Sequence, residues 1–160
     1  MKKLVFVALS ALTLSACSSA PHTYSGYADF SCYGISSIGS YERDVTIDVV
    51  GDKLMVNCND AVANNYIVMT PDNVDSTIEA LSKFMLINEQ KQRSVVLGNV
   101  ADGTGGMFDT QYRSERAKDG LIYLSHSTIA NTVAYDRNAA NKLLELARDV
   151  KNGIYPTYSN

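Results

Sequence analysis

Of the residue types that most often carry chemistry, this chain of 160 residues holds three cysteines, Cys17, Cys32 and Cys58, and two histidines, His22 and His126. Two metal-ligating histidines on one helix face, a redox pair of cysteines within one turn, and a serine lifted on a strand-to-helix elbow each require a short fixed spacing. None of those spacings occurs. His126 stands between Ser125 and Ser127 with no adjacent acid to orient it, so it reads as a structural residue rather than a proton carrier. Gly103-Thr104-Gly105-Gly106 lacks the Lys-Ser/Thr pair of a phosphate loop and reads as a turn. Asp102 and Asp109 do not fit a calcium-loop spacing. A pair of carboxylates flanking a glycosidic bond leaves no signature in one sequence. No catalytic residue, metal ligand or cofactor is assigned on these grounds.

Cys17 has a different context. The first 17 residues, MKKLVFVALSALTLSAC, open with Lys2 and Lys3 and continue through an apolar run from Leu4 to Leu14. That run is too short to span a bilayer. A basic start, a short apolar stretch and small residues before a cut site describe a secretory signal. Leu14-Ser15-Ala16-Cys17 resembles the lipobox of bacterial lipoproteins. The resemblance covers the leader alone. It implies removal of residues 1–16, a thioether-linked diacylglycerol on the Cys17 sulfur, and an acyl group such as palmitate on its new amine. Each buried methylene contributes ~0.8 kcal/mol, so three chains make such an anchor effectively permanent. Ser18, where an Asp is absent, resembles lipoproteins forwarded to the outer membrane, which implies a lipid-anchored protein on its periplasmic face.

Residues 17–26 are then the anchor and a short polar tether, and the nine residues after Cys17 reach at most roughly 30 Å when extended. Residues 27–160 form one globular domain that works near its membrane. Hydrophobic residues make up 46% and charged residues 19% of the chain, which fits a packed core rather than disorder. Without Lys2 and Lys3, 17 acidic residues face 12 basic ones. That balance argues against a nucleic-acid partner.

With Cys17 acylated, Cys32 and Cys58 remain as an even pair in an exported chain and are expected to form a disulfide. Val45, Ile47 and Val49 alternate with polar residues, Gly51-Asp52 offers a two-residue turn with Gly first, and Leu54, Val56 and Cys58 alternate in turn. This pattern predicts a type II′ hairpin in which Val49 faces Leu54, Ile47 faces Val56 and Val45 faces Cys58. Ala28, Phe30 and Cys32 also alternate, so a neighbouring strand brings Cys32 to the same buried side.

Tyr66 to Met69 suits a buried strand, and Thr70-Pro71 reads as a helix N-cap with Pro at the first helical position. Val74, Ile78, Leu81 and Met85 mark one helix face. Arg93 to Val100, Gly120 to Leu124 and Thr132 to Tyr135 read as strands. A last helix begins near Asp136, buries Ala140, Leu143, Leu144, Ala147 and Val150, and stops at Gly153. The order β-β-β-β-α-β-β-β-α predicts an α+β fold: one antiparallel sheet with two helices packed on one face and one disulfide.

Ala101 to Asp119 is long for a connection in so small a domain, and such loops are often functional. Met107 and Phe108, flanked by glycine, supply an adaptable apolar contact. Tyr112, Arg113 and Arg116 complete the candidate partner-binding loop, with the arginines facing an acidic partner. A strong anchor joined to weak chemistry predicts a non-catalytic lipoprotein that binds an envelope protein, as an accessory subunit or as an inhibitor or immunity factor. A small-ligand or glycan binder, with Tyr24, Tyr27, Tyr33 and Tyr41 lining one groove, is the alternative, ahead of a small cell-wall hydrolase.

Overall fold

The computed structural model describes residues 22–34, 38, 41–59, 64–88, 94–105, 109–127 and 132–158. Among these residues ten elements follow one another: β1 (His22–Gly34), β2 (Arg43–Val50), β3 (Lys53–Asn59), β4 (Asn64–Met69), α1 (Val74–Met85), β5 (Val95–Val100), β6 (Thr110–Arg116), β7 (Ile122–Ser127), β8 (Thr132–Tyr135) and α2 (Arg137–Lys151). The strands make one sheet in the order β4-β3-β2-β1-β8-β7-β6-β5, and every pairing is antiparallel. Two four-stranded meanders, each followed by a helix, are thus joined at β1 and β8. Among the described residues the seam pairs Tyr33 with Ala134 and Gly34 with Val133.

Alternation builds the first meander. Val45, Val49, Leu54, Val56 and Cys58 are buried, and β2 and β3 pair Val49 with Leu54, Ile47 with Val56 and Val45 with Cys58. Gly51 turns the hairpin at φ +63°, while no non-glycine residue among those described has positive φ. A type I′ turn needs two such residues, so the turn has the backbone sign of type II′. Cys32 and Cys58 are bonded, with Cα atoms 5.9 Å apart, within the range that a disulfide spans without backbone movement.

β1 starts at His22, so the polar run expected to be tether through Gly26 is strand from residue 22 onward. Pairing explains the gain: Thr23 Oγ1 donates to the Val49 carbonyl, and Tyr24 packs on the core. Further along, Tyr27 pairs with Thr46 and Ser31 with Asp44, so Ala28, Asp29 and Phe30 stand opposite Val45 alone. A bulge of this kind bends its strand. Beside it Asp29 meets Lys142 of α2 at 3.0 Å.

The segment from Thr110 to Arg116, expected to be loop, is a full strand. Its inward residues, Thr110, Tyr112 and Ser114, are mostly small and polar, so the alternation is not one of hydrophobicity. The two helices run antiparallel to each other: Lys151 of α2 meets Asp75 of α1 at 2.7 Å, while Arg137 donates to the carbonyls of Met85 and Ile87 at the other end. Asp136 caps α2 by accepting from Ala139 N at 2.7 Å, and Gly153 follows its end at φ +73°. One main apolar cluster draws residues from all eight strands and both helices. Tyr33, Tyr123 and Ala134 form a second, smaller one. No helix among the described residues is long and apolar enough to cross a membrane.

Candidate functional site

The connection from β5 to β6 is anchored at its root by Asn73. This residue precedes α1, yet its side chain does not cap the helix. Its Oδ1 accepts from Thr70 N at 2.9 Å, and its Nδ2 donates to the carbonyl of Val68 at 2.8 Å and to that of Ala101 at 3.0 Å. The end of β4 is thereby tied to the end of β5, although the two strands lie at opposite edges of the sheet. The Thr70-Pro71 cap expected from sequence is instead a turn, in which the Thr70 carbonyl accepts from Asn73 N and Val74 N.

Beyond Ala101 the chain folds on itself. Asp102 Oδ1 accepts from Thr104 N at 2.9 Å, and the Asp102 carbonyl accepts from Gly105 N, which sits at φ +85°. Gly103 lies against Val68, Thr70 and Asn73 so closely that a Cβ there would stand 2.8 Å from Val68 Cγ1. Residues 101–105 together with Asp52, Lys53 and Thr70 to Asn73 line a cleft of about 370 Å³. Asp52, Asp72 and Asp102 give it an acidic rim.

Met107 and Phe108 lie outside the described residues. The other three members of the expected loop do not gather with one another. Tyr112 is only 2% exposed, because β6 turns it inward, and its ring packs edge-on against His126 with centroids 5.2 Å apart. It is a core residue, not a partner contact. Arg113, half-buried on the opposite face of β6, meets Gln111, Ser94 and Glu115. Arg116 donates to the Gly120 carbonyl and so holds the β6–β7 turn, a whole strand away from residues 101–105. The alternation of β6 sends successive residues to opposite faces, which separates what looked contiguous.

His126 is 1% exposed and its Nδ1 has no hydrogen-bond partner. Burial pushes its pKa down to about 4, against a smaller upward pull from the Asp102 charge. The imidazole is therefore neutral at pH 7, and among the described residues no carboxylate orients it by a hydrogen bond. Around it the core holds Tyr112, whose hydroxyl meets Thr77, and Tyr135, whose hydroxyl is unpartnered; burial raises both phenols. Among the described residues no group of three His, Cys, Asp or Glu side chains is placed to hold a metal ion.

The four tyrosines of a possible glycan groove also separate. Tyr24 packs on the main core and Tyr33 is buried in the small cluster, while Tyr27 and Tyr41 are exposed. Two features that the sequence pattern did not single out are the Asn73 clamp and the docking of the C-terminal segment. Tyr155 donates its hydroxyl to the Asp52 carbonyl at 3.0 Å, and the Tyr158 ring lies 5.3 Å from that of Tyr24. No family model, curated protein or solved structure matches this chain.

Proposed function

We propose that the chain is a periplasmic lipoprotein, acylated on Cys17 and held at the outer membrane, that binds an envelope protein as a non-catalytic accessory or as an inhibitor or immunity factor. The observation that carries this reading is Leu14-Ser15-Ala16-Cys17 behind a basic, apolar leader. The Cys32–Cys58 disulfide is in keeping with an oxidising compartment. The partner surface is the β5–β6 connection, which carries Met107 and Phe108 and whose residues 101–105 line the acidic cleft. Within this reading both helices cover the same face of the sheet, which leaves the opposite face and the loop tips free for contact. Support comes from the single apolar cluster that both helices share and from the contacts of α1 with β5 and β6 and of α2 with β1, β7 and β8.

Two measurements test it. Labelling with a fatty-acid analogue should mark the native chain and not Cys17→Ala; equal label in both removes the anchor. Crosslinking in the native envelope followed by affinity recovery should capture a protein partner. Replacing Met107 and Phe108 by Ser should reduce that recovery about 30-fold or more, since a central apolar anchor is typically worth ~2 kcal/mol. Unchanged recovery removes the loop from the contact.

A further inference from the structure

The bond between anchor and domain is short, and the place where it enters the domain is known. Strand β1 begins at His22, whose backbone pairs with Val50, which in turn pairs with Lys53. Four residues separate Cys17 from His22 in sequence, so their Cα atoms, five residue steps apart, are at most roughly 18 Å from each other whatever the path between them. The surface around the start of β1 is thus the part of the domain that must lie nearest an acylated Cys17.

That surface is not polar throughout. The segment after α2 folds back onto it: Tyr155 bonds the Gly51–Asp52 turn, and Tyr158 stacks on Tyr24, two residues from the strand start. In doing so it leaves Ile154 57% and Tyr158 63% exposed. An exposed aliphatic and an exposed aromatic side chain within one five-residue segment are suited to the boundary between headgroups and acyl chains, where a ring finds both apolar and polar surroundings. Nearby charge does not call for an anionic partner, since Asp52, Asp72 and Asp102 line the adjoining cleft against Lys53 alone.

We infer that Ile154 to Tyr158 is a membrane-facing pad that rests on the bilayer holding the Cys17 lipid, so that the domain has one fixed orientation on its membrane. This inference rests on the lipoprotein reading above. It places the acidic cleft and residues 101–105 beside the bilayer rather than at the far pole, so a partner gripping that loop is itself at the membrane surface. The β6–β7 turn, with Leu121 52% exposed, lies at the opposite end of β6 from that loop and points away from the lipid.

The chain contains no tryptophan, which makes a single introduced indole an unambiguous reporter. Ile154→Trp, Tyr158→Trp and Leu121→Trp, each made in the full acylated protein, are reconstituted into phosphatidylcholine vesicles with and without doxyl-labelled lipid. Quenching should lower emission about two-fold or more for the first two, whose depth matches an interfacial group, and leave Leu121→Trp nearly unchanged. Hydrogen exchange of the unsubstituted protein should show residues 154–158 protected in vesicles relative to detergent-free Cys17→Ala. The mass of the N-terminal peptide is measured on the same samples. Acylated protein with an unquenched tail, or with Leu121→Trp quenched equally, overturns the pad and leaves the anchor standing. An N-terminal peptide without lipid overturns the anchor and the pad together.

Discussion

The side-chain amide of Asn73 donates to the carbonyl of Ala101 at 3.0 Å, joining the first residue after β5 to the turn that follows β4. The same nitrogen also holds Val68, and Oδ1 holds Thr70 N, so three backbone groups depend on one buried side chain. Asn73→Ala should lower stability by about 2–3 kcal/mol, because the stranded buried groups lose their partners. Asn73→Asp should be no better, since it keeps the bond from Thr70 N but turns a carboxylate toward two carbonyls. Urea melts measure both, and faster amide exchange at residues 102–105 should accompany the loss.

Gly103 tests the same junction by crowding rather than deletion. Gly103→Ala places a methyl 2.8 Å from Val68 Cγ1 and 3.1 Å from Asn73 Nδ2, which should cost about 1–3 kcal/mol. Val68→Ala removes the obstacle. In a double-mutant cycle the pair should be less unstable than the sum of the two singles by about 1 kcal/mol. Simple additivity would mean that the loop yields instead.

His126 makes stability depend on acid in a defined direction. Its folded pKa of about 4 lies below the ordinary value of 6.5, so between those limits the unfolded chain binds the extra proton. Stability should therefore rise as pH increases from about 4 to 6.5 and level off above, with about 3 kcal/mol involved. His126→Phe keeps an aromatic ring against Tyr112 and removes the titration. The difference between the two proteins, followed by denaturant midpoint across pH 3.5 to 7.5, should contain that segment and little else.

The Cys32–Cys58 bond closes a loop of sequence separation 26 and should stabilise the domain by about 3 kcal/mol in the chain-entropy model. Both sulfurs are fully buried, so Cys32→Ala/Cys58→Ala avoids stranding a hydroxyl. That variant should melt roughly 6–12 °C lower than the oxidised protein and be insensitive to reductant. An equal melting temperature would assign the pair to packing alone.

Where hydrophobic alternation and turn chemistry agreed, the fold was legible. The β2–β3 hairpin, its register, its Gly51 turn and the disulfide all lie in one stretch where both signals point the same way. The α2 boundaries were legible for the same reason, with Asp136 and Gly153 marking its ends. β6 was hidden because Thr110 and Ser114 fill inward positions that a pattern reader expects to be apolar. The tether lost its last five residues to β1 because pairing with β2, not side-chain character, makes His22 to Gly26 a strand. Around α1 the buried stripe is centred on Thr77, Ala80, Leu81 and Phe84, a fraction of a turn from the expected face, and Ile78 and Met85 are half-buried. The candidate site was least legible of all. Proximity of Asn73, Gly103 and Asp52 arises from where strand ends meet, and no local spacing in the chain encodes that meeting.

The seam between β1 and β8 sets an order of assembly. Strands β1 to β4 pair with one another in sequence order, and the disulfide lies wholly within them, so the ladders of this half and its covalent lock need nothing beyond residue 69. Tyr33 and Gly34 must wait for partners roughly a hundred residues downstream. Until Val133 and Ala134 arrive, the end of the first strand is an open edge, ready to accept any extended segment that reaches it. The time a newly made chain spends in that half-finished state, rather than the strength of the finished core, is then what exposes it to pairing with another copy.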